Sequence, residues 1–279
     1  MLVTSKELLK KAQAARFAIP AANFVDLNSL RWHVETAEEM KLPLILALAE
    51  AHIGESITLE DAAIVGKKYA ENSPVPIVLH LDHGMDGALI KRAIDLGFSS
   101  VMIDASMDSF ENNVSRTKDI MGYARQRGVV VEAEIGHVGA GENYENHDES
   151  GSTYTTAEEA KRFVEATNID SLAVSIGTAH GLYKGIPEIN FQRLQEIAEA
   201  IDTPLVLHGG SSSGDENLKQ CAHNGITKIN IFSDFLEGAM GSLNKNKPKH
   251  YPDVLAASKE GFQNTLKHYY NVFETKSPE

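Results

Sequence analysis

The sequence predicts an α/β chain folded as a single (β/α)8 TIM barrel with a C-terminal helical extension, spanning residues 1–279 as one domain. Three observations point there. Eight short apolar runs alternate with stretches of helical spacing, the rhythm and size of a (β/α)8 barrel. The runs are nearly continuous in apolar residues, as in parallel strands buried on both faces. No Pro-, Gly- or Ser-rich linker, low-complexity tract or break in composition divides the chain. A doubly wound open sheet is the competing fold. It usually carries a Gly-rich turn after its first strand, and Pro20-Ala21-Ala22-Asn23-Phe24 has no glycine there.

The expected strands are Phe17–Asn23, Leu44–Ala49, Ile77–His83, Ser99–Asp104, Val129–Glu134, Ser171–Ile176, Leu205–His208 and Lys228–Phe232. Helices fill the intervals. Leu30, Val34, Ala37 and Met40 recur at helical spacing. Thr58 is placed to cap a helix carrying Ala62, Val65 and Tyr69, and Asn190 one carrying Phe191, Leu194, Ile197 and Ile201. Thr156 and Glu159 have capping-box spacing ahead of Ala160, Phe163 and Val164. From about Asn244, turns at Pro248 and Pro252 lead into a terminal helix with Phe262, Leu266, Tyr269 and Phe273, expected to pack on the barrel or on a second subunit.

Composition narrows the function classes. With 42% hydrophobic and 23% charged residues the chain is an ordinary globular one. The balance of 26 basic to 39 acidic residues argues against nucleic acid. No apolar run approaches a membrane span, and the start of the sequence does not read as a secretory signal. Cys221 is the only cysteine, which excludes an internal disulfide and fits a reducing cytoplasm.

Residues at the C-terminal ends of barrel strands face the active site. Strand one ends on Asn23 and strand eight on Asn230. Three strands end on a histidine followed by glycine: His83-Gly84, His180-Gly181 and His208-Gly209. Neutral imidazoles converging from three strands, with a fourth position open, outline a catalytic zinc site. Three structural histidines would be the plain reading of each taken singly. Asp82 reads either as a proton carrier beside the metal or as a partner that orients a histidine. If His83 faces the metal, strand alternation points Asp82 the other way unless the strand end bends. Asp104 and Glu134 read either as an alternative metal position or as hydrogen-bond partners of the ligand histidines. His80 reads as structural. Gly209-Gly210-Ser211-Ser212-Ser213-Gly214 is a small-residue loop where barrels often bind phosphate through backbone N–H groups, and Asn230-Ile231-Phe232-Ser233 is placed to complete it. Between Gly139 and Thr153 a long polar segment has the size of an active-site lid. Its Glu145, Asp148 and Glu149 read as solvated.

These residues resemble the class II, metal-dependent ketose-phosphate aldolases, the group of fructose-bisphosphate and tagatose-bisphosphate aldolases. The resemblance runs over nearly the whole chain. It rests on Leu79-His-Leu-Asp-His-Gly84, Val101-Met-Ile-Asp-Ala-Ser106, Val131-Glu-Ala-Glu-Ile-Gly136, the run from Asp170 to Gly181, Pro204-Leu-Val-Leu-His-Gly209 and Lys228-Ile-Asn230. It implies Zn²⁺ on His83, His180 and His208. It implies Asp82 as acid/base at the C4 oxygen of a ketose and Glu142 as the lid glutamate at C3. Asp104 and Glu134 match residues near an alternate metal position. Gly181, Gly209, Gly210 and Ser211, with Asn230, Ile231, Phe232 and Ser233, match contacts to dihydroxyacetone phosphate, with Na⁺ or K⁺ near that phosphate in some members. It also implies a small-molecule sugar phosphate as substrate and a homodimer or homotetramer. No Schiff-base lysine is required, and Lys228, read as the start of strand eight, stands at the wrong end for one.

Three residues depart from the family's usual pattern: Ala49 in place of Ser or Thr, Ser212 in place of Gly, and Phe232 in place of a smaller or acidic residue. The expectation is aldolase chemistry with a substrate that need not be the common hexose bisphosphate. The rivals are an aldolase for an unusual phosphorylated sugar derivative and a sugar-phosphate-binding protein without turnover. A barrel metallohydrolase is disfavoured, since Phe17–Asn23 lacks a His-x-His pair.

Overall fold

The computed structural model describes residues 1–54, 56–136, 154–179 and 185–277. Eight parallel strands close into a barrel in sequence order. They are β1 (Ile19–Asn23), β2 (Leu44–Ala49), β3 (Ile77–Gly84), β4 (Ser100–Ile103), β5 (Val130–Ile135), β6 (Ser171–Val174), β7 (Leu205–Leu207) and β8 (Ile226–Ile231). Helix α1 (Ser5–Ala15) precedes β1. Between strands run α2 (Leu27–Met40), α3 (Leu59–Asn72), α4 (Gly87–Leu96), α5 (Phe110–Arg125), α6 (Ala157–Thr167), α7 (Phe191–Ala200) and α8 (Asp215–His223). After β8 come α9 (Ser233–Asn246) and α10 (Tyr251–Val272). Among the described residues no helix is long and apolar enough to cross a membrane.

The local signals act as expected. Thr58, Thr156 and Asn190 each accept a backbone N–H of their helix's first turn, and Glu159 closes a capping box with Thr156. Only β2 keeps its expected bounds; the other strands shift by one or two residues at one or both ends, and for β1 and β8 the local cause is plain. Strand β1 starts at Ile19 because Arg16 ends α1 in the left-handed region (φ 53°) and the Ala18 N–H bonds Phe273 O, outside the sheet. Strand β8 starts two residues before Lys228 and stops at Ile231, because Phe232 (φ −138°, ψ −68°) turns the chain into α9. Pro252 lies in the first turn of α10, where its missing N–H costs nothing, and is not a turn before it.

Strand alternation builds two cores. Outward residues such as Leu46, Leu79, Val101, Val131, Leu172 and Ile229 are buried against the helices. Inward, Ile19, Ala21, Ile45 and Val78 meet Leu8, Leu9 and Ala12 of α1, which closes the N-terminal end of the barrel. The terminal helices pack on the barrel. Phe262 of α10 stacks on Phe235 of α9 (5.8 Å, 9°), His33 of α2 sits edge-on to Phe235 (4.4 Å), and the Tyr270 hydroxyl donates to Pro43 O. Gly238 and Gly261 permit the close α9–α10 crossing: a Cβ on Gly261 would lie 2.3 Å from Gly238 O. Cys221 is buried, which pushes its thiol up to about 12, so it is an inert packing residue.

Candidate active site at the C-terminal end of the barrel

Above the apolar plug the inward positions turn polar. The first polar layer holds Lys228, Glu132, His80 and Ser100. Lys228 Nζ donates to both Glu132 oxygens (2.8 and 2.9 Å), and His80 Nδ1 lies 2.8 Å from Ser100 Oγ. Lys228 is therefore an interior residue of β8, not the first one as expected. Burial, then the charge of Lys228, pushes His80 down to about 3. A neutral His80 accepts from Lys228 at Nε2 (3.3 Å) and donates from Nδ1 to Ser100. This agrees with the structural role read for it.

Asp82 continues the inward series of Val78 and His80. Its carboxylate accepts one bond from Asn23 Nδ2 and one from Asn230 Nδ2, each 2.8 Å. Alternation would then send His83 outward. The chain avoids this with a register irregularity between Leu81 and Gly84 and a left-handed φ of 47° at His83. So it is His83 that the strand end bends into the site, while Asp82 follows the pleat, the reverse of the sequence expectation. The strain marks a position fixed by its surroundings.

His83 and His208 then meet. His83 Nε2 lies 2.7 Å from His208 Nδ1. The outer nitrogen of each ring faces a carboxylate: His83 Nδ1 to Asp104 Oδ2 (2.8 Å) and His208 Nε2 to Glu132 Oε1 (2.9 Å). Ser106 in turn holds Asp104 through its N–H and hydroxyl. Carboxylates on both outer nitrogens direct both inner lone pairs at one point, which needs a proton or a cation there. This donor set fits a metal. Two sets of side chains lie close enough to share a cation: Asp82, His83 and His208, and His83, Asp104 and Glu134. Glu134 approaches His208 Nδ1 at 3.7 Å.

The charges follow from these contacts. Burial opposes a charge on His83, but the adjacent Asp82 and the bond to Asp104 prevail and raise it to about 9. Burial, then the charge of His83, lowers His208. Burial of Asp82 favours its neutral form, yet His83 and Lys228 hold it well below the usual carboxylate range. Glu132 is likewise held low, by Lys228 and His208 against its burial.

A cavity of about 280 Å³ opens beside this cluster. Asp82, His83 and Asn230 line it, with Gly209 and Ser211 of the loop after β7 and with Ala49, His52 and Phe232. Asn230 Oδ1 is buried with no hydrogen-bond partner. Ser233, at the first turn of α9, also lines the cavity. The Ile231 side chain packs outward in the helix-facing core, so only its backbone can serve the site. The Gly209–Gly214 loop is packed more tightly than a simple cradle of free amides. The Gly210 N–H bonds Asn230 O and the Ser212 N–H bonds Asp234 Oδ2. A Cβ on Gly209 would strike Ala179 O at 2.3 Å, so the two glycines allow strand ends to touch. His180, Gly181 and Glu142 lie outside the described residues.

Three site residues escaped the sequence reading. Glu132 and Lys228 stand two residues before Glu134 and Asn230, so the same alternation placed all four inside. His52 follows β2 on a short 3-10 turn, its ring 4.5 Å from Phe232, and no sequence signal marks it.

Polar strand ends thus converge on paired imidazoles at the C-terminal end of a closed parallel barrel. A sequence model of the family "Fructose-bisphosphate aldolase class-II" matches residues 3–277, and the chain belongs to that family. It is a class II aldolase, a carbon–carbon lyase. Among solved structures, the YdjI aldolase from Escherichia coli K12 is similar at 30% identity and TM-score 0.88, over 99% of this chain and 98% of that one. A putative fructose-1,6-biphosphate aldolase from Coccidioides immitis follows at 29% and 0.85, over 96% and 95%. The fructose-bisphosphate aldolase from Campylobacter jejuni, at 24% identity and TM-score 0.78 over 98% and 95%, shares the fold.

Proposed function

We propose that the protein cleaves a ketose 1-phosphate or 1,6-bisphosphate reversibly to dihydroxyacetone phosphate and an aldehyde, with Zn²⁺ held by His83, His208 and His180. The observation that carries this is the pair of imidazoles with inner nitrogens 2.7 Å apart and outer nitrogens on Asp104 and Glu132. A divalent cation there supplies Lewis-acid stabilisation of the charge left when C3–C4 breaks. The chain's own residues do the rest. Asp82, ionised and aimed by Asn23 and Asn230, takes the proton from the C4 hydroxyl. Glu142 moves the proton at C3. The buried Asn230 Oδ1 accepts from a substrate hydroxyl, since a buried acceptor without a donor is costly. Ser211, Ser233 and the first turn of α9 receive the phosphate, where the helix end favours negative charge. Asp104 and Glu134 serve as the alternate cation position, and Na⁺ or K⁺ neutralises the phosphate.

The Phe232 ring beside Ala49 favours a substrate other than the common hexose bisphosphate, because the cavity there offers a phenyl ring and a methyl group where the family usually has a smaller or acidic residue and a hydroxyl. Residues 1–279 act as one domain, in a cytoplasmic homodimer or homotetramer. The test is dihydroxyacetone phosphate release, coupled to an NADH-consuming reductase, across a panel of ketose phosphates with Zn²⁺ and with chelator. Chelator-sensitive release is the expected result. Silence on the whole panel with zinc bound would refute turnover and leave a sugar-phosphate binder.

A further inference from the structure

We infer that Asp234 is a positioning residue for the phosphate-binding loop, with Tyr269 of α10 behind it. The inference rests on the proposed binding of a sugar phosphate at Ser211 and Ser233. Ser212 sits in the left-handed region (φ 58°), which serine does not favour. Its N–H bonds Asp234 Oδ2 (2.9 Å) and its hydroxyl bonds Asp234 Oδ1 (2.8 Å). Each carboxylate oxygen thus takes one donor of the same residue, the bidentate geometry that fixes a backbone conformation. The Tyr269 hydroxyl also donates to Asp234 Oδ2. One residue earlier, Ser211 Oγ accepts the N–H of Phe232 (3.0 Å) and of Asp234 (3.4 Å). The loop after β7 and the start of α9 are therefore clamped to each other at consecutive residues. Ser211, Phe232 and Ser233 from the clamped segments line the cavity, whereas Asp234 and Tyr269 do not, and line a separate surface pocket with Ser212. Asp234 acts on a bound phosphate only through the backbone it holds.

The experiment compares wild type, Asp234→Ala, Asp234→Asn, Ser212→Gly and the Asp234→Ala/Ser212→Gly double variant. Read are kcat, KM for a cleaved ketose phosphate, Kd for inorganic phosphate, and amide exchange across residues 209–214. Asp234→Ala is expected to raise KM and the phosphate Kd roughly tenfold, the scale of a charged hydrogen bond, with kcat within about threefold. Asp234→Asn, which keeps one acceptor, falls between. Glycine is at ease in the left-handed region, so the cost of Asp234→Ala shrinks at least about threefold in the Ser212→Gly background. Faster exchange in Asp234→Ala is confined to the loop. An equal KM cost in both backgrounds, or a fall in kcat at unchanged KM, overturns the inference. If wild type cleaves no ketose phosphate, the functional reading fails, while phosphate Kd and loop exchange still decide the positioning. Exchange at 209–214 unaltered by Asp234→Ala would then overturn it.

Discussion

The two ends of the barrel interior occupy equivalent strand positions and carry opposite chemistry. At the N-terminal end Ile19, Ala21, Ile45 and Val78 close on Leu8, Leu9 and Ala12 of α1, with no polar atom to satisfy. Further along the barrel interior stand His80, Lys228 and Glu132, on β3, β8 and β5, and two residues beyond those Asp82, Asn230 and Glu134, with Asn23 of β1 bonded to Asp82. Burial is nearly complete at both ends. At the first it stabilises through apolar area. At the second it removes charges from water and is tolerated because each is paired. Stability thus resides where the barrel is plugged. The other end uses that stability to hold three imidazoles, four carboxylates and a lysine in fixed geometry.

Substitutions at the two ends should separate these roles. The largest effect falls at Asp82. Asp82→Asn keeps the shape and removes the base, and kcat is expected to fall by about 10²–10⁴-fold with metal content unchanged. Steady-state kinetics beside metal analysis checks it. An equal loss of metal would move Asp82 from proton carrier to ligand. Next, Lys228→Met strips the partner from Glu132 and leaves a buried carboxylate. A loss of about 3–5 kcal/mol in urea unfolding is expected, with weaker metal binding as His208 loses its fixed partner. Leu9→Ala, in the plug, costs about 2–5 kcal/mol but leaves kcat/KM per folded molecule unaltered. A catalytic defect there would erase the distinction between the ends.

The smallest effect is pH-dependent and lies beneath the site. His33 donates from Nε2 to Asn23 O (3.2 Å), while its Nδ1 is buried without a partner. Burial pushes it down to about 4 from 6.5. The unfolded chain therefore binds a proton that the folded one refuses. Stability is full above pH 6.5 and declines as pH falls toward 4, by about 1.4 kcal/mol per unit at most and about 3 in all. Urea titrations between pH 7 and 4 should show His33→Leu flattening that slope. An unchanged slope would place the acid sensitivity among the paired carboxylates instead.

Much of the fold was legible because its signals are local. Capping at Thr58, Thr156 and Asn190 and the apolar runs of β2 and β3 depend on neighbouring residues alone. Helix α1 was not read, since its role as a plug appears only once the barrel closes around it. In the site, His83, His208 and Asp82 were legible as polar strand ends. Which of Asp82 and His83 obeys alternation was not, because the irregularity between β3 and β4 depends on pairing two strands. The pairing of Lys228 with Glu132 spans β8 and β5 and is set by barrel closure, as is the hold of Asp234 on Ser212. In sequence, Ser212 reads only as a non-Gly residue at a Gly position. In three dimensions its hydroxyl finds a partner.

The most direct test of the central claim is metal stoichiometry measured alongside dihydroxyacetone phosphate release in wild type, His83→Ala and His208→Ala. The account predicts about one zinc per chain in wild type, and loss of both metal and cleavage in each variant with the barrel still folded by circular dichroism. Full activity without metal in either variant would contradict it.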